Sequence, residues 1–280
     1  MFRDNSAARY IMTLFQLVIL AIVQGITEFL PISSSAHLVL LHELGTTPEG
    51  DDIALDVAVH LGSIVAVCLY FRADFLRLLT GTGQLLRGRL ATPEAFLAFA
   101  LAIATLPAML IGFILAVTGW VDLLRNPAVI GWMMIIFGIL LWWAHRSFPE
   151  TRMASEWRLR DAVIMGLMQC LALIPGVSRS GITMTAGRML SFDRIEAARL
   201  AMLMSIPITL ATSGYLMLKL RREPMSAELL WQLGLGAVLA FLAAWAALAV
   251  MMRFLRVVSF TPYVIYRVIL GAALLVMVYA

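Results

Sequence analysis

Gln24-Gly25-Ile26-Thr27-Glu28-Phe29-Leu30-Pro31-Ile32-Ser33-Ser34-Ser35-Ala36-His37 sets a carboxylate, three serines and an imidazole in the middle of an apolar run covering residues 10–41. Proline has no backbone donor and disfavours helix at the residue before it. A helix entering this stretch therefore ends near Pro31, and a second begins at the serines. Pro175-Gly176-Val177-Ser178-Arg179-Ser180-Gly181-Ile182-Thr183 interrupts a second apolar run, residues 163–190, in the same manner. Irregular backbone at membrane depth is tolerated only where it is buried in protein or lines a wet cavity. Both segments read as re-entrant helix–loop–helix hairpins.

Composition makes the bilayer the solvent. Of 280 residues, 62% are apolar and 14% charged, against roughly a quarter charged in ordinary globular domains; the mean hydropathy is +0.92. Apolar blocks at 53–71, 96–120, 128–143, 200–220, 229–252 and 263–279 each approach the roughly 20 residues that a helix needs to cross the hydrocarbon core. The expected fold is an all-α integral membrane protein with six transmembrane helices plus two re-entrant hairpins. Arg3 and Arg9 precede the apolar stretch 10–30. That stretch is long for a signal-peptide core and has no small-x-small site leading into polar sequence, so it is read as part of the mature chain. Cys68 and Cys170 lie in apolar segments without paired spacing and read as inert thiols. The net charge of +4 carries no nucleic-acid signal.

The two polar motifs belong to a longer internal correspondence. Gln24 and Gln169 are 145 residues apart, Pro31 and Pro175 are 144 apart, and Ser63-Ile64 recurs as Ser205-Ile206 after 142. Pro127-Ala128-Val129-Ile130 recurs as Pro262-Tyr263-Val264-Ile265 after 135. Four landmarks in one order, displaced by half the chain, indicate a duplication within one membrane domain, with halves at approximately 1–146 and 160–280. Each half holds one hairpin and three crossings. Three is odd, so the second half starts on the opposite side and the repeats are inverted. Such folds bring broken helices together near the midplane, and the triple-serine loop is expected to face the Ser-Arg-Ser loop.

Arginine placement orients the chain. Arg72, Arg77, Arg87, Arg89, Arg146, Arg152, Arg158, Arg160, Arg188, Arg194, Arg253 and Arg256 fall on one side, in the 72–94, 145–160, 188–194 and 252–261 connections. Arg3, Arg9, Arg125, Lys219, Arg221 and Arg222 fall on the other. The positive-inside rule puts the first side in the cytoplasm and both termini outside. The loop 42–52, with four acidic and no basic residues, suits the outside.

Ionisable groups within membrane segments are costly and are functional candidates by default. Gln24 and Glu28, four apart, share a helix face. A carboxylate with an amide oxygen can hold Mg²⁺ together with water and phosphate oxygens. The plain alternative is a structural ion pair between Glu28 and Arg179. Ser33, Ser34 and Ser35 at a helix start offer hydroxyls and backbone N–H groups to an anion. His37, three residues after Ser34, is spaced to take a proton from a serine or a water; a serine-capped helix restart is the plain alternative. Arg179 presents a planar fork suited to phosphate oxygens among Ser178, Ser180, Thr183 and glycines, which a simple ion pair would not need. Arg267 in the last apolar block either pairs structurally, the preferred reading, or lines the site, and His60, one turn from Asp56, is a weak candidate.

At these motifs the chain resembles the undecaprenyl-diphosphate phosphatase, or bacitracin-resistance, family. The Gln24–Pro31 stretch with Ser33–His37 is similar to that family's Glu/Gln-x-x-x-Glu box and serine loop. Pro175–Thr183 is similar to its Pro-Gly-x-Ser-Arg-Ser-x-x-Thr box, and Leu61-Gly62-Ser63 and Phe260-x-Pro262-x-x-x-Tyr266-Arg267 match as well. The resemblance covers the full chain. It implies hydrolysis of undecaprenyl diphosphate to undecaprenyl phosphate and phosphate in a bacterial inner membrane, with the site opening to the outer, periplasmic face. It implies a catalytic set of Glu28, Ser34, His37 and Arg179. Ser33, Ser35, Ser178, Ser180 and Thr183 would bind substrate, and Gln24 and Glu28 would serve a divalent cation, Mg²⁺ or Ca²⁺. Ser34 would be nucleophile or phosphate ligand, His37 general acid/base and Arg179 phosphate clamp. The first box position is Gln24 rather than glutamate, so a site with two anionic metal ligands is not formed there.

The implied partners are a polyprenyl diphosphate and bilayer lipid, and no nucleic acid. Pairing of two chains as a homodimer is neither required nor excluded by the sequence. A secondary transporter or a lipid-carrier flippase is the alternative reading, since inverted repeats with broken helices serve transport too.

Overall fold

The computed structural model describes residues 13–43, 53–89, 91–119, 126–220 and 226–280. Within them lie eleven α-helices, two short 3₁₀ turns and one isolated bridge, Arg152 to Phe192, with no strand among the described residues. The acidic loop 44–52 and Arg3, Arg9, Arg125, Arg221 and Arg222, used above for orientation, lie outside the described residues.

Helix α1 (Leu14–Phe29) starts with a capping box. Thr13 Oγ1 accepts from Gln16 N, and Gln16 Oε1 accepts from Thr13 N at 3.0 Å. It stops at Leu30, whose φ of −70° and ψ of 146° are the extended conformation that Pro31 demands of its predecessor. Helix α2 (Ser34–Glu43) follows at once. Next come α3 (Ile53–Tyr70), α4 (Arg72–Leu86), α5 (Pro93–Thr118) and α6 (Pro127–Ser147). In the second half, α7 (Leu159–Gln169) tightens into a 3₁₀ turn, Cys170–Leu173, before Pro175. Helices α8 (Arg179–Met189), α9 (Arg194–Leu220), α10 (Ala227–Val257) and α11 (Thr261–Tyr279) complete the chain.

Five helices, α5, α6, α9, α10 and α11, are individually long and apolar enough to cross a bilayer. Phe113, Val250, Ile269 and Val276 are more than half exposed on them, an apolar surface of the kind that faces lipid. The chain is a multi-pass membrane protein. The block at 53–71, expected as a sixth simple span, differs. Helix α3 breaks at Phe71 and turns by 98° into α4, so a sixth span exists only if the bent pair is counted as one.

The 72–94 connection, expected as a loop, is largely helix α4 for two reasons. Asp74 is buried and receives Arg199 Nη2 at 2.6 Å and Nε at 2.8 Å from α9. A Cβ at Gly81 would stand 1.9 Å from Glu94 O, so α4 lies directly against the start of α5. Leu76, Leu79 and Leu86 remain exposed beside arginines, the pattern of a helix lying in the interface.

Packing crosses between the halves. Helix α1 packs on α10, while α7 packs on α5. A Cβ at Gly25 would stand 2.6 Å from Ala240 O, and one at Gly166 would stand 2.6 Å from Ala104 O. Backbones meet this closely only where side chains are small. Helices α6 and α11 meet in the same way, with Gly131 and Gly271 each facing the other's carbonyl.

Charged ties gather at the connections following α6 and α8. Arg152 is held by Asp161 Oδ2 at 2.5 Å, and that carboxylate pushes its pKa above the usual guanidinium range. Arg188, fully buried, donates to the carbonyls of His145, Phe148, Pro149 and Phe192. Cys68 and Cys170 are both free.

Candidate functional site

The two broken helices restart in the same way. Ser33 precedes α2 with φ of 70°, and Ser178 precedes α8 with φ of 69°. Non-glycine residues adopt the left-handed region at a cost of order 1 kcal/mol or more, which surrounding contacts must offset. Each serine is paired with the one two residues on. Ser33 Oγ lies 3.0 Å from Ser35 Oγ, and Ser178 Oγ lies 3.1 Å from Ser180 Oγ. Ser178 Oγ also caps Gly181 N at 3.2 Å.

The loops then bind each other. Gly176 N donates to Ser35 Oγ at 3.2 Å, and Ser180 Oγ donates to the Leu30 carbonyl at 2.8 Å. The expected meeting of the two loops is realised, and the N-termini of α2 and α8 open at one place. Helix N-termini carry unpaired N–H groups and the positive end of the dipole, so this junction favours an anion.

Glu28 is the hub. Its Oε1 accepts from Arg179 Nη2 at 2.8 Å across the two broken helices. Its Oε2 accepts from Gln24 Nε2 at 2.8 Å and from Ser34 Oγ at 3.1 Å. Arg179 Nη1 also donates to Thr209 Oγ1 of α9 at 3.3 Å. Glu28 and Arg179 retain 10% and 16% side-chain exposure, so the pair is reachable and only partly solvated. Such a carboxylate holds the serine hydroxyl by its proton and the guanidinium by its charge.

His37 is placed differently from the expectation drawn from helical spacing. It turns from Ser34, its Nδ1 donating to the Ser33 carbonyl at 2.7 Å. Its Nε2 lies 2.6 Å from the Tyr266 hydroxyl, and the two rings stack with an interplanar angle of 5°. With Nδ1 protonated, neutral Nε2 accepts from Tyr266. Thr183 is fully buried, and its hydroxyl bonds the carbonyls of Arg179 and Ser180 within its own helix. Ser33, Ser35, Ser178 and Ser180 bond one another and the opposing loop. These serines build the junction, while Ser34, Glu28 and Arg179 face one another within it.

Residues 17–273 match the family described as Bacitracin resistance protein BacA. This chain belongs to the BacA family. It is 56% identical over 270 residues to an undecaprenyl-diphosphatase of Dinoroseobacter shibae, covering 96% of this chain and all of that one. Undecaprenyl-diphosphatases of Jannaschia sp. and Roseobacter denitrificans are 54% and 52% identical, again with 96% of this chain and all of the relative covered.

Three further residues of this BacA chain enter the site from other helices. His60 of α3 lies 3.1 Å from Gln24 Nε2 and 3.8 Å from Glu28 Oε2. Its only sequence signal is being an imidazole inside an apolar block. Tyr266 reaches His37 from α11, and Arg267 beside it is fully buried. Arg267 donates to the carbonyls of Pro31, Gly176 and Val177, and to Met133 and Met134 of α6. One guanidinium thus pins both loops to a spanning helix, the structural role expected for it. A Cβ at Gly181 would stand 2.7 Å from Arg267 Nη1, so that position must stay small.

The residues suit a hydrated divalent cation. Glu28 supplies one carboxylate. Gln24 Oε1 is a buried carbonyl oxygen without a hydrogen-bond partner, a donor atom of the kind Mg²⁺ accepts. Among the described residues no three of His, Cys, Asp and Glu converge, so water and phosphate oxygens would supply the remaining ligands.

Proposed function

We propose that this chain hydrolyses undecaprenyl diphosphate to undecaprenyl phosphate and inorganic phosphate, returning the lipid carrier to cell-wall synthesis. One observation carries the reading. A carboxylate and a serine hydroxyl from the first broken helix meet a guanidinium from the second, at the joint opening of two helix N-termini. Phosphoryl transfer requires charge neutralisation and positioning more than any other contribution. The names of the relatives agree with it.

Arg179 clamps the terminal phosphate through its fork, with the N-terminal N–H groups of α2 and α8 adding donors. Ser34 is the nucleophile or a phosphate ligand. In the covalent route its hydroxyl proton passes to Glu28 as Oγ bonds to the terminal phosphorus, and the bond to the departing lipid phosphate breaks; water then releases phosphate from the serine. In the direct route Glu28 polarises the attacking water. His37, backed by Tyr266, serves proton transfer at the rim. Ser33, Ser35, Ser178 and Ser180 hold the loops in the anion-binding shape, and Thr183 braces the first turn of α8. A divalent cation at Gln24 and Glu28, when bound, supplies further neutralisation of phosphate charge.

The surface offers an apolar groove that suits a lipid tail, on the face of α1 opposite Gln24 and Glu28. This groove of ≈ 440 Å³ runs between α1 and α10, lined by Ile22, Ile26, Leu30, Leu239, Val250 and Tyr263.

The finer architecture in this proposal is an inverted repeat with six spans and two re-entrant hairpins. The exchanged packing of α1 on α10 and α7 on α5, the Gly25 and Gly166 approaches, and the matched Ser33 and Ser178 support it. The arginine distribution supports both termini lying outside, and the family resemblance supports a site opening on the outer face of the bacterial inner membrane.

The test is phosphate release from undecaprenyl diphosphate by the purified protein in detergent, with Mg²⁺ and with chelator. Steady release, lost in Arg179→Lys, is expected. Coupled uptake into proteoliposomes without any phosphate release would instead establish a transporter.

A further inference from the structure

We propose that His60 Nε2 joins Glu28 and Gln24 as a nitrogen ligand, giving this chain a divalent-cation site that takes a first-row transition ion in preference to Mg²⁺. The inference rests on the reading of the Glu28 cluster as a phosphate-processing centre and deepens it.

His60 is held for this role by its other nitrogen. Nδ1 donates to the Asp56 carbonyl at 2.7 Å, one turn back on α3. That bond fixes the tautomer and leaves the Nε2 lone pair directed at the cluster, the arrangement a metal-binding histidine needs. At present Nε2 accepts from Gln24 Nε2 at 3.1 Å, and the same amide nitrogen donates to Glu28 Oε2 at 2.8 Å. The amide thus stands between a carboxylate oxygen and an imidazole lone pair and satisfies both with its two hydrogens. Its carbonyl oxygen is left buried without a partner, on a side chain 1% exposed.

Half a turn about the last torsion of Gln24 exchanges the amide oxygen and nitrogen. The oxygen then faces the carboxylate and the imidazole, three lone-pair donors meet, and only a cation can satisfy them together. The spacing is suitable. The triangle of Gln24, Glu28 and His60 has edges of 2.8, 3.1 and 3.8 Å, and ligands about 2.1 Å from an ion at right angles lie about 3 Å apart. Glu28 can serve the ion while keeping Arg179, because its oxygens divide the work: Oε1 holds the guanidinium and Oε2 faces the triangle.

The nitrogen decides selectivity. Mg²⁺ binds oxygen and dehydrates reluctantly, whereas imidazole raises affinity along the first-row series above it. With Gln24 in place of a carboxylate, charge attraction is weaker, and the imidazole contributes a larger share of the discrimination.

The experiment uses full-length protein in detergent micelles with Mn²⁺ as the probe. Pulsed electron paramagnetic resonance should show ¹⁴N coupling to bound Mn²⁺, and Mg²⁺ should displace it only at large excess. In His60→Gln the nitrogen coupling should vanish, and Mn²⁺ affinity should fall about 10- to 100-fold. Gln24→Glu should bind Mn²⁺ more tightly with the coupling retained, which keeps the test decisive if the His60 variant does not fold. Bound Mn²⁺ without nitrogen coupling, or no Mn²⁺ binding at all, overturns the proposal. Phosphate release from undecaprenyl diphosphate is measured on the same preparations. Release without the nitrogen-coupled ion sinks the metal assignment alone, whereas a nitrogen-coupled ion without release sinks the phosphatase reading.

Discussion

Arg179 Nη2 and Glu28 Oε1 stand 2.8 Å apart although 151 residues separate them, and this contact joins the two broken helices at their most polar point. A pair so enclosed serves two ends. It keeps each charge tolerable at membrane depth, and it can be opened by a phosphate that offers the guanidinium a better anion.

Glu28→Gln should therefore lower phosphate release by about 10²-fold or more, as losing a preorganised electrostatic partner does elsewhere. It leaves Arg179 without its counter-charge, at a cost of about 3–5 kcal/mol where such a pair is buried. Arg179→Lys keeps the charge and loses the fork, and a comparable fall in kcat/KM is expected. The double variant should fall by less than the product of the two single effects, since the residues act together. Initial rates on the three variants decide, and near-parental rates in Glu28→Gln would remove it from the reaction.

Ser34→Ala and His37→Asn should separate clearly. Ser34 donates to the hub carboxylate, whereas His37 is occupied by Ser33 O and Tyr266. A phosphoserine route predicts loss of turnover in Ser34→Ala and a trapped phosphoenzyme in the parent on acid quench. The His37 change, like Tyr266→Phe, should cost about 10²-fold, the lower end for general acid–base groups. Substantial turnover in Ser34→Ala excludes the covalent route and leaves water as the nucleophile.

Arg267→Met should destabilise the fold beyond its effect on any one bond. It strips a donor from five carbonyls, and the three outside helices, of Pro31, Gly176 and Val177, cost about 1–3 kcal/mol each when left buried and unsatisfied. Gly181→Ala, which puts a methyl against Arg267 Nη1, should cost about 1–3 kcal/mol by overpacking. Thermal unfolding in detergent measures both, and an unchanged Tm for Arg267→Met would refute the pin.

Asp74→Asn tests the far end of the molecule. It should lower stability, because it loosens α4 from Arg199 of α9, with the turnover of the folded fraction preserved. Reduced turnover at equal folded fraction would instead tie α4 to the reaction.

Legibility followed the range of each interaction. Pro31 and Pro175 act on their own neighbours, so both breaks could be read locally. Gln24, Glu28, Ser34 and Arg179 were readable because charge and hydroxyls inside apolar runs need a reason. The partner of His37 could not be read from spacing alone: helical neighbours share a face, yet Tyr266, 229 residues away, supplies its Nε2 partner. His60 was underrated because its neighbours in sequence are apolar, and its polar neighbours arrive from α1. Helix α4 was missed because its stabilising partners, Arg199 and Glu94, lie on other helices.

The sequence by itself determined that the chain lives in a bilayer, where it breaks, and which groups are too polar to be there without purpose. These follow from composition and from proline's missing donor, properties that each residue carries wherever it goes. Tertiary structure alone decided that Glu28 rather than His37 takes the Ser34 hydroxyl, that His60 belongs to the cluster, and that Arg267 pins both loops. Those outcomes depend on which atoms come within about 3 Å, the reach of a hydrogen bond, and only the packing of distant helices sets that.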